Sequence, residues 1–394
     1  MRTAWIIALT GTLAACGGRA SKPAPGPGPD PGGGAVWSTL SPERREHLLR
    51  IMPAVETYVR SRVDEYAFPA AVVGVVAGGE LLWWTSYGNA DLDTVFRIGS
   101  ITKPITAAAV LALRDEGALD LDDPVERYLP ELAELHYPTK DSPRITIRHL
   151  LTHTSGIGMN TKVDYWSRPD EDLGEDELFD RLDGFELIHV PGTKTVYSNV
   201  GMGLAGLVVQ RASGMRYRDY VDRELLAPLG MTHGAWTRAD VPEARLSTGS
   251  RRVDGMRVTE HHWRLGAIEG MGGLYSSLRD MSRFVAWQLS AWPPSDLSDN
   301  GPLARSSVRE SHMVGGHAVP GRHSYGMGWR VRNDPDLGHV VSHVGGTFQY
   351  SGVVWMLTER DLGVILLTND GYGLDKVDHI ARNVAWIIAL HDEN

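Results

Sequence analysis

Three short groups of residues, far apart in the chain, carry side chains suited to nucleophilic catalysis. In chain order they are Ser100-Ile101-Thr102-Lys103, Tyr197-Ser198-Asn199 and His343-Val344-Gly345-Gly346. A serine hydroxyl is a weak nucleophile until a base takes its proton, and a lysine one turn away or a tyrosine from another segment suits that task. No other serine of the chain stands three residues before a lysine. The ordered set therefore predicts a serine hydrolase.

The residues around the predicted nucleophile favour a tight helical turn. Pro104 has no N–H to donate to the Ser100 carbonyl, so a regular α-turn cannot begin at the serine. A 3₁₀-like first turn would eclipse residues three apart and bring the Lys103 amine beside the Ser100 hydroxyl. The N-terminus of the following helix would favour negative charge that develops near Ser100. The alternative is a serine that caps a helix, followed by an exposed lysine.

Tyr197, Asn199 and His343 are the predicted partners of that serine. The pKa of a tyrosine beside a lysine ammonium is lowered, which suits Tyr197 to act as a general base. Asn199 is predicted to cap the helix that follows it. The glycines after His343 would leave the Gly346 N–H free to point at a carbonyl oxygen. The alternative is a strand that ends in a glycine turn beside an incidental histidine. A second Tyr-x-Asn group, at Tyr87, is interpreted as part of a turn.

The elements that must position these residues are strands at the two ends of the chain and helices between them. Strands are predicted at residues 70–76 and 81–87, as a hairpin, and at 340–344, 353–357 and 364–368. An amphipathic helix should start near Ser41 and be kinked or split at Pro53, and another should run from about 375 to 390. We predict an α/β fold of the α+β type. One antiparallel sheet is built from both chain ends and flanked by helices, and a mostly helical region is inserted.

Composition and spacing argue against nucleic acid, nucleotide and metal. The formal net charge is −10 and no basic run occurs, which disfavours a nucleic-acid partner. Gly201, Gly203 and Gly206 match a dinucleotide fingerprint, but no βαβ pattern surrounds them, so close helix packing is the better interpretation. His149 and His153 lack the glutamate of a zinc-binding helix and are interpreted as packing or capping residues. We predict no cofactor and no metal.

The first residues have the pattern of a bacterial lipoprotein. Residues 1–15 read as a signal peptide, and Cys16, the single cysteine, stands where a lipidated cysteine would become the mature N-terminus. The alternative is an ordinary secretory signal with a stray cysteine. Residues 16–36 form a Pro/Gly-rich tether, and 37–394 a single hydrolase domain. The predicted location is the cell envelope, with a lipid anchor in the membrane. Because Gly17 follows the cysteine, we expect the periplasmic face of the outer membrane in a Gram-negative host.

Taken together, the motifs make the chain resemble the superfamily of serine β-lactamases and penicillin-binding proteins. The resemblance is to the branch of class C β-lactamases, DD-peptidases and related esterases, and it covers about residues 40–390. The motifs that carry it lie at residues 96–103, 119–125, 147–156, 191–192, 197–199, 272–276, 325–329 and 343–346.

This resemblance implies an acyl-enzyme mechanism on a small-molecule or peptide substrate. Ser100 would attack an amide, ester or β-lactam carbonyl, while Lys103 and Tyr197 move protons. Asn199 would hold the lysine and the substrate amide. The backbone N–H groups of Ser100 and Gly346 would form the oxyanion hole, and water would release the product. D-alanyl peptides, small esters and β-lactams all remain open as substrates.

His343 is where the chain departs from class C β-lactamases, which usually carry the lysine of a Lys-Thr-Gly motif there. The same substitution occurs in DD-peptidase-like and esterase-like relatives, which argues against efficient β-lactam hydrolysis. If a protonated His343 binds a substrate carboxylate, that attraction should fade between about pH 6 and 8. The alternative function is a catalytically inactive envelope binding protein that retains the fold. The intact set of polar residues favours the enzyme.

Overall fold

The structure, a computed structural model, describes residues 40–163, 171–259, 262–299, 301–317, 323–371 and 373–392. The predicted signal peptide, Cys16 and the tether lie outside the described residues, so the proposed domain boundaries stay predictions. The helices are α1 Pro42–Tyr66, α2 Thr102–Asp115, α3 Ile147–Leu151, α4 Glu175–Leu182, α5 Asn199–Ser213, α6 Tyr217–Val221, α7 Leu278–Ser290, α8 Arg305–Ser311 and α9 Leu374–His391. The strands are β1 Ala71–Ala77, β2 Glu80–Tyr87, β3 Val95–Arg97, β4 Arg251–Val253, β5 Met256–Val258, β6 Tyr275–Ser277, β7 Ser324–Tyr325, β8 Arg330–Asp334, β9 Gly338–Gly346, β10 Ser351–Leu357 and β11 Leu362–Thr368.

Strands from both ends of the chain meet in one central sheet. Within the described residues it has seven strands in the order β2-β1-β11-β10-β9-β8-β7. β1 pairs with β11 in an antiparallel register that runs from Ala71 opposite Thr368 to Ala77 opposite Leu362. The predicted antiparallel sheet with an inserted helical region is therefore confirmed. The sequence analysis missed β7 and β8 and the short two-stranded pairs β3–β6 and β4–β5.

Apolar residues cover both faces of the sheet, because alternate residues of a strand point to opposite sides. On β11, Val364 and Leu366 pack in the core that contains α1 and α9. Ile365 and Leu367 pack in the other core, which contains α2, α5 and α7. The second core joins the sheet to the inserted helices, and the catalytic motifs lie along that junction.

Helix α1 confirms the predicted start and corrects the predicted interruption. Ser41 caps the helix, with its Oγ 3.2 Å from the Arg44 nitrogen. The helix then runs through Pro53 as one element. Buried apolar side chains on both sides of the proline, among them Met52 and Val55, lie in the same core as residues of the sheet. None of the described helices is long and apolar enough to span a lipid bilayer.

Candidate active site

The predicted nucleophile lies in a single 3₁₀ turn, Gly99–Ile101, between β3 and α2. This turn confirms the 3₁₀ geometry expected from Pro104. Gly99 has a φ of 54°, which favours glycine. Thr102 fixes the turn, because its Oγ1 donates to the Gly99 carbonyl at 2.8 Å and accepts from the Leu274 N–H at 3.3 Å. Ser100 is thereby held half-buried at the start of α2.

Lys103 lies one turn further on and is completely buried. Its Nζ is 3.0 Å from Ser100 Oγ, 2.9 Å from Asn199 Oδ1 and 2.5 Å from the Met271 carbonyl oxygen. Burial lowers the pKa of Lys103 well below its usual 10.5, because the charged ammonium loses its hydration. The alternative of an exposed lysine after a helix cap is wrong.

These contacts determine which neighbouring group can give a proton to the Lys103 amine. The Asn199 Oδ1 and the Met271 carbonyl can only accept hydrogen bonds, so they take the two N–H donors of a neutral amine. The lone pair of Nζ is then left for the Ser100 hydroxyl. The Met271 carbonyl was not predicted, because a backbone oxygen 168 residues away from the lysine leaves no side-chain pattern in the sequence.

Tyr197 approaches the same hydroxyl from another element. Its OH donates to Ser100 Oγ at 2.9 Å, and Lys103 Nζ lies 4.9 Å from the centre of its ring. The predicted meeting of serine, lysine and tyrosine therefore occurs. Tyr87 instead ends β2 and packs in the core beside α1, with Arg60 over its ring.

His153 supports the segment that carries Tyr197, a role that the sequence analysis did not identify. Its carbonyl accepts from the Val196 N–H at 2.8 Å, and its Nδ1 accepts from the Ser198 N–H at 3.2 Å. The imidazole lies 4.6 Å from the Tyr197 ring, centre to centre. Burial lowers the pKa of His153 to about 3, so it is a neutral packing residue. His149 caps α3, as interpreted from the sequence.

Asn199 lies where predicted but does not cap the helix. Ser198 is the N-cap of α5, and its Oγ accepts from the Gly201 N–H at 2.8 Å. Asn199 is the first residue of the helix, and its side chain makes other contacts. Besides the bond to Lys103, its Nδ2 donates to Asn160 Oδ1 at 2.9 Å. The asparagine thus fixes the lysine amine in place.

His343 lies close to this group, but its predicted titration is wrong. Its ring centre is 6.3 Å from that of Tyr197. The side chain is buried, and desolvation together with the positive charge of Arg330 lowers its pKa well below 6.5. The Nδ1–H donates to the Val344 carbonyl at 2.7 Å, which leaves Nε2 without a proton in the neutral ring. A neutral imidazole cannot bind a carboxylate by charge, so no loss of attraction between pH 6 and 8 is expected.

Gly346 closes the other side of the nucleophile turn. The backbones of Gly346 and Gly99 are in contact, since a Cβ added to Gly99 would lie 2.8 Å from the Gly346 nitrogen. A cleft of about 350 Å³ opens beside Ser100. Its lining includes Arg97, Asn199, Leu265, Met271, Gly272, Gly346 and Thr347. In the described part of the chain, no group of three or more His, Cys, Asp or Glu side chains is arranged to hold a metal.

Comparisons with known proteins agree with this arrangement. The family model described as beta-lactamase matches residues 55–386. "Beta-lactamase-like protein 2" of Dictyostelium discoideum is 30% identical over 280 residues, which are 68% of this chain and 50% of that protein. "Protein flp" of Staphylococcus aureus is 26% identical over 330 residues, 80% of this chain and 62% of that protein. The chain thus spans only half to about three fifths of the length of these relatives.

Solved structures show the same fold. The beta-lactamase/D-alanine carboxypeptidase from Yersinia pestis, solved with citrate, superimposes with a TM-score of 0.72. It is 23% identical in sequence, and the match covers 87% of this chain and 99% of that one. At this identity the likeness supports the fold alone.

Proposed function

We propose that Ser100 attacks ester or amide carbonyls and forms an acyl-enzyme, because this chain belongs to the beta-lactamase family of serine hydrolases. The observation that carries the proposal is the fully buried Lys103 amine, 3.0 Å from the Ser100 hydroxyl and held by two carbonyl oxygens. Burial of this kind favours the neutral amine, which can take the proton of the serine.

In the proposed acylation, Lys103 Nζ takes the hydroxyl proton while Ser100 Oγ bonds to the substrate carbonyl carbon. The carbonyl oxygen becomes an oxyanion, for which the backbone N–H groups of Ser100 and Gly346 are the proposed donors. As the oxyanion collapses, the bond to the leaving oxygen or nitrogen breaks. Tyr197, 2.9 Å from Ser100 Oγ, gives its proton to the leaving atom and regains one from the Lys103 ammonium.

Deacylation repeats these proton movements with water as the nucleophile. The Lys103–Tyr197 pair takes a proton from the water as its oxygen attacks the acyl carbon. The bond to Ser100 Oγ then breaks, and the serine regains its proton. One water molecule is consumed, and the released products are a carboxylic acid and an alcohol or amine. His343 is neutral and buried and takes no part in these transfers.

A substrate panel tests this function. A small ester, a D-alanyl peptide and a cephalosporin should be compared, with esters expected to react best because His343 replaces the lysine found in class C β-lactamases. A fluorophosphonate should label the protein, and mass spectrometry should map the label to Ser100. The Ser100→Ala variant is the control and should be neither labelled nor active. If the native protein is folded but takes no label and cleaves none of the substrates, the non-catalytic binding protein is the better explanation.

The cell envelope is the proposed location, with the protein attached through a lipid on Cys16. The support is the lone cysteine after an apolar segment and before a Pro/Gly-rich stretch. We predict that the protein partitions with membranes and that Cys16→Ser releases or mislocalises it. The measurement is membrane fractionation together with mass-spectrometric mapping of the mature N-terminus. A mature N-terminus at any residue other than Cys16 would disprove lipid anchoring.

A further inference from the structure

A second, larger pocket adjoins the catalytic cleft. It offers about 1210 Å³ of space, part of which is open to solvent, and Arg97 and Leu265 line both the cleft and this pocket. Gly272 lines the catalytic cleft, and its neighbour Gly273 lines the second pocket. A molecule bound at Ser100 can therefore extend past Leu265 into the second pocket. Two tryptophans, Trp236 and Trp263, form part of its wall and offer an apolar surface.

The arginines that line the second pocket outnumber their acidic partners, and Arg97 is the arginine that lacks one among the described residues. Four arginines line the pocket, and three of them have acidic partners. Those pairs are Arg218 with Glu269, Arg264 with Asp172, and Arg238 with Glu243. Among the described residues, Arg97 forms no ion pair. Its guanidinium carbon lies 5.4 Å from the centre of the Tyr275 ring, and its side chain is hydrogen-bonded to that tyrosine.

Arg97 is also too deeply buried to be an ordinary surface cation. Only 5% of the residue is exposed, and its Nε has no hydrogen-bond partner among the described residues. A guanidinium stays charged at any working pH, and a buried charge without a partner is costly. A carboxylate that enters the pocket would supply the anionic partner that Arg97 lacks.

We propose that this pocket binds the acyl part of the substrate and that Arg97 binds a carboxylate at the far end of that acyl chain. The proposal rests on the acyl-enzyme function of Ser100. The leaving group must lie beside Tyr197, which gives it a proton, and Tyr197 is not among the residues that line the cleft leading to Arg97. The acyl chain therefore points toward the second pocket.

The chain limits the length of this acyl group. Arg97 and Ser100 are three residues apart, so their Cα atoms are at most about 11 Å from each other. An acyl chain of medium length with a terminal carboxylate, such as an adipyl or pimelyl group, spans that distance. The substrate class is thus an ester or amide of a dicarboxylic acid, or an acyl group with an acidic end.

The test compares 4-nitrophenyl hydrogen adipate and pimelate with the same esters capped as methyl esters. The native enzyme should cleave the free-carboxylate ester with the higher kcat/KM, and Arg97→Gln should lower the ratio of the two kcat/KM values by about 10- to 100-fold. Arg238 lines the same pocket, and its charge already has a partner in Glu243. Arg238→Gln should therefore change the ratio only a few-fold.

A second variant covers the case in which Arg97→Gln does not fold. Ala239 is exposed on the wall of the pocket, so Ala239→Trp narrows the pocket without touching the core. It should lower the ratio of kcat/KM for the adipate and pimelate esters to that for 4-nitrophenyl acetate. A native ratio of free to capped ester near one, or a folded Arg97→Gln variant that keeps the native ratio, would overturn the proposal. An Ala239→Trp variant with native kcat/KM values for the adipate and pimelate esters would overturn it as well.

Binding separates this proposal from the proposed hydrolase function. In the Ser100→Ala protein, calorimetry should show tighter binding of the free-carboxylate ester than of its capped form, and Arg97→Gln in that background should remove the difference. If the native enzyme cleaves short neutral esters but this difference is absent, only the carboxylate subsite is wrong. If Ser100 proves unreactive while the difference is present, the subsite stands and the hydrolase does not.

Discussion

Replacing Lys103 with methionine is expected to slow acylation of Ser100 by about 10²–10⁴-fold, the usual contribution of a positioned general base. Methionine is a suitable replacement because it is apolar and of similar length, and the position is completely buried. The variant keeps the packing of α2 but has no lone pair beside the serine hydroxyl. The measurement is the rate of fluorophosphonate labelling, together with kcat/KM for an ester.

The pH dependence of that rate follows from the lowered pKa of Lys103. Only the neutral amine can accept the serine proton, so the rate should fall as the pH drops below the lysine pKa and should level off above it. Because burial holds this pKa well below 10.5, the active form extends toward neutral pH. The two histidines nearby should not contribute at neutral pH, since the pKa of His153 is about 3 and that of His343 is lowered well below 6.5.

An exposed lysine supplies the matched control. Lys140→Met makes the same chemical change on the surface and should leave the labelling rate and its pH profile as they are in the native protein. Thermal unfolding would establish that both variants fold. A folded Lys103→Met variant that labels at the native rate would show that another group, with Tyr197 the first candidate, deprotonates the serine.

Local chemistry along the chain was sufficient to predict much of the site. The three-residue spacing of Ser100 and Lys103, with Pro104 after them, predicted the 3₁₀ turn that the structure contains. The apolar runs at both chain ends predicted an antiparallel sheet, which the pairing of β1 with β11 confirms. The turn and the individual strands each depend on a few consecutive residues, so the sequence determines them directly.

Features that depend on the surroundings could not be predicted in the same way. The position of His343 was predicted correctly, but its ordinary pKa was assumed, and only the packing around the ring reveals its burial. Asn199 was predicted to be a cap because its residue type suits one, whereas its neighbour Ser198 takes that place. Pro53 was expected to kink or split α1, and the structure shows that the helix is not split, with buried apolar residues on both sides of the proline.

Gly345→Ala is the second substitution expected to have a large effect, and its effect is purely steric. A Cβ at this position would lie 1.9 Å from the Ile98 carbonyl oxygen, a backbone atom that cannot rotate away. The alanine must push β9 away from the turn that carries Ser100, and Gly346 moves with the strand. If the Gly346 N–H is one of the two oxyanion donors, kcat should fall by about 10²–10³-fold, the typical cost of removing one such donor.

Gly74→Ala tests whether that loss is specific to the active site. Gly74 lies in β1 of the same sheet, and its new methyl group would meet the ends of the Leu278 and Leu81 side chains, which can shift. We expect this control to lower the unfolding temperature while kcat stays close to that of the native enzyme. Gly345→Ala should lower kcat even at temperatures where the variant is fully folded. Native kcat in folded Gly345→Ala would mean that the contact between β9 and the serine turn does not position the oxyanion donors.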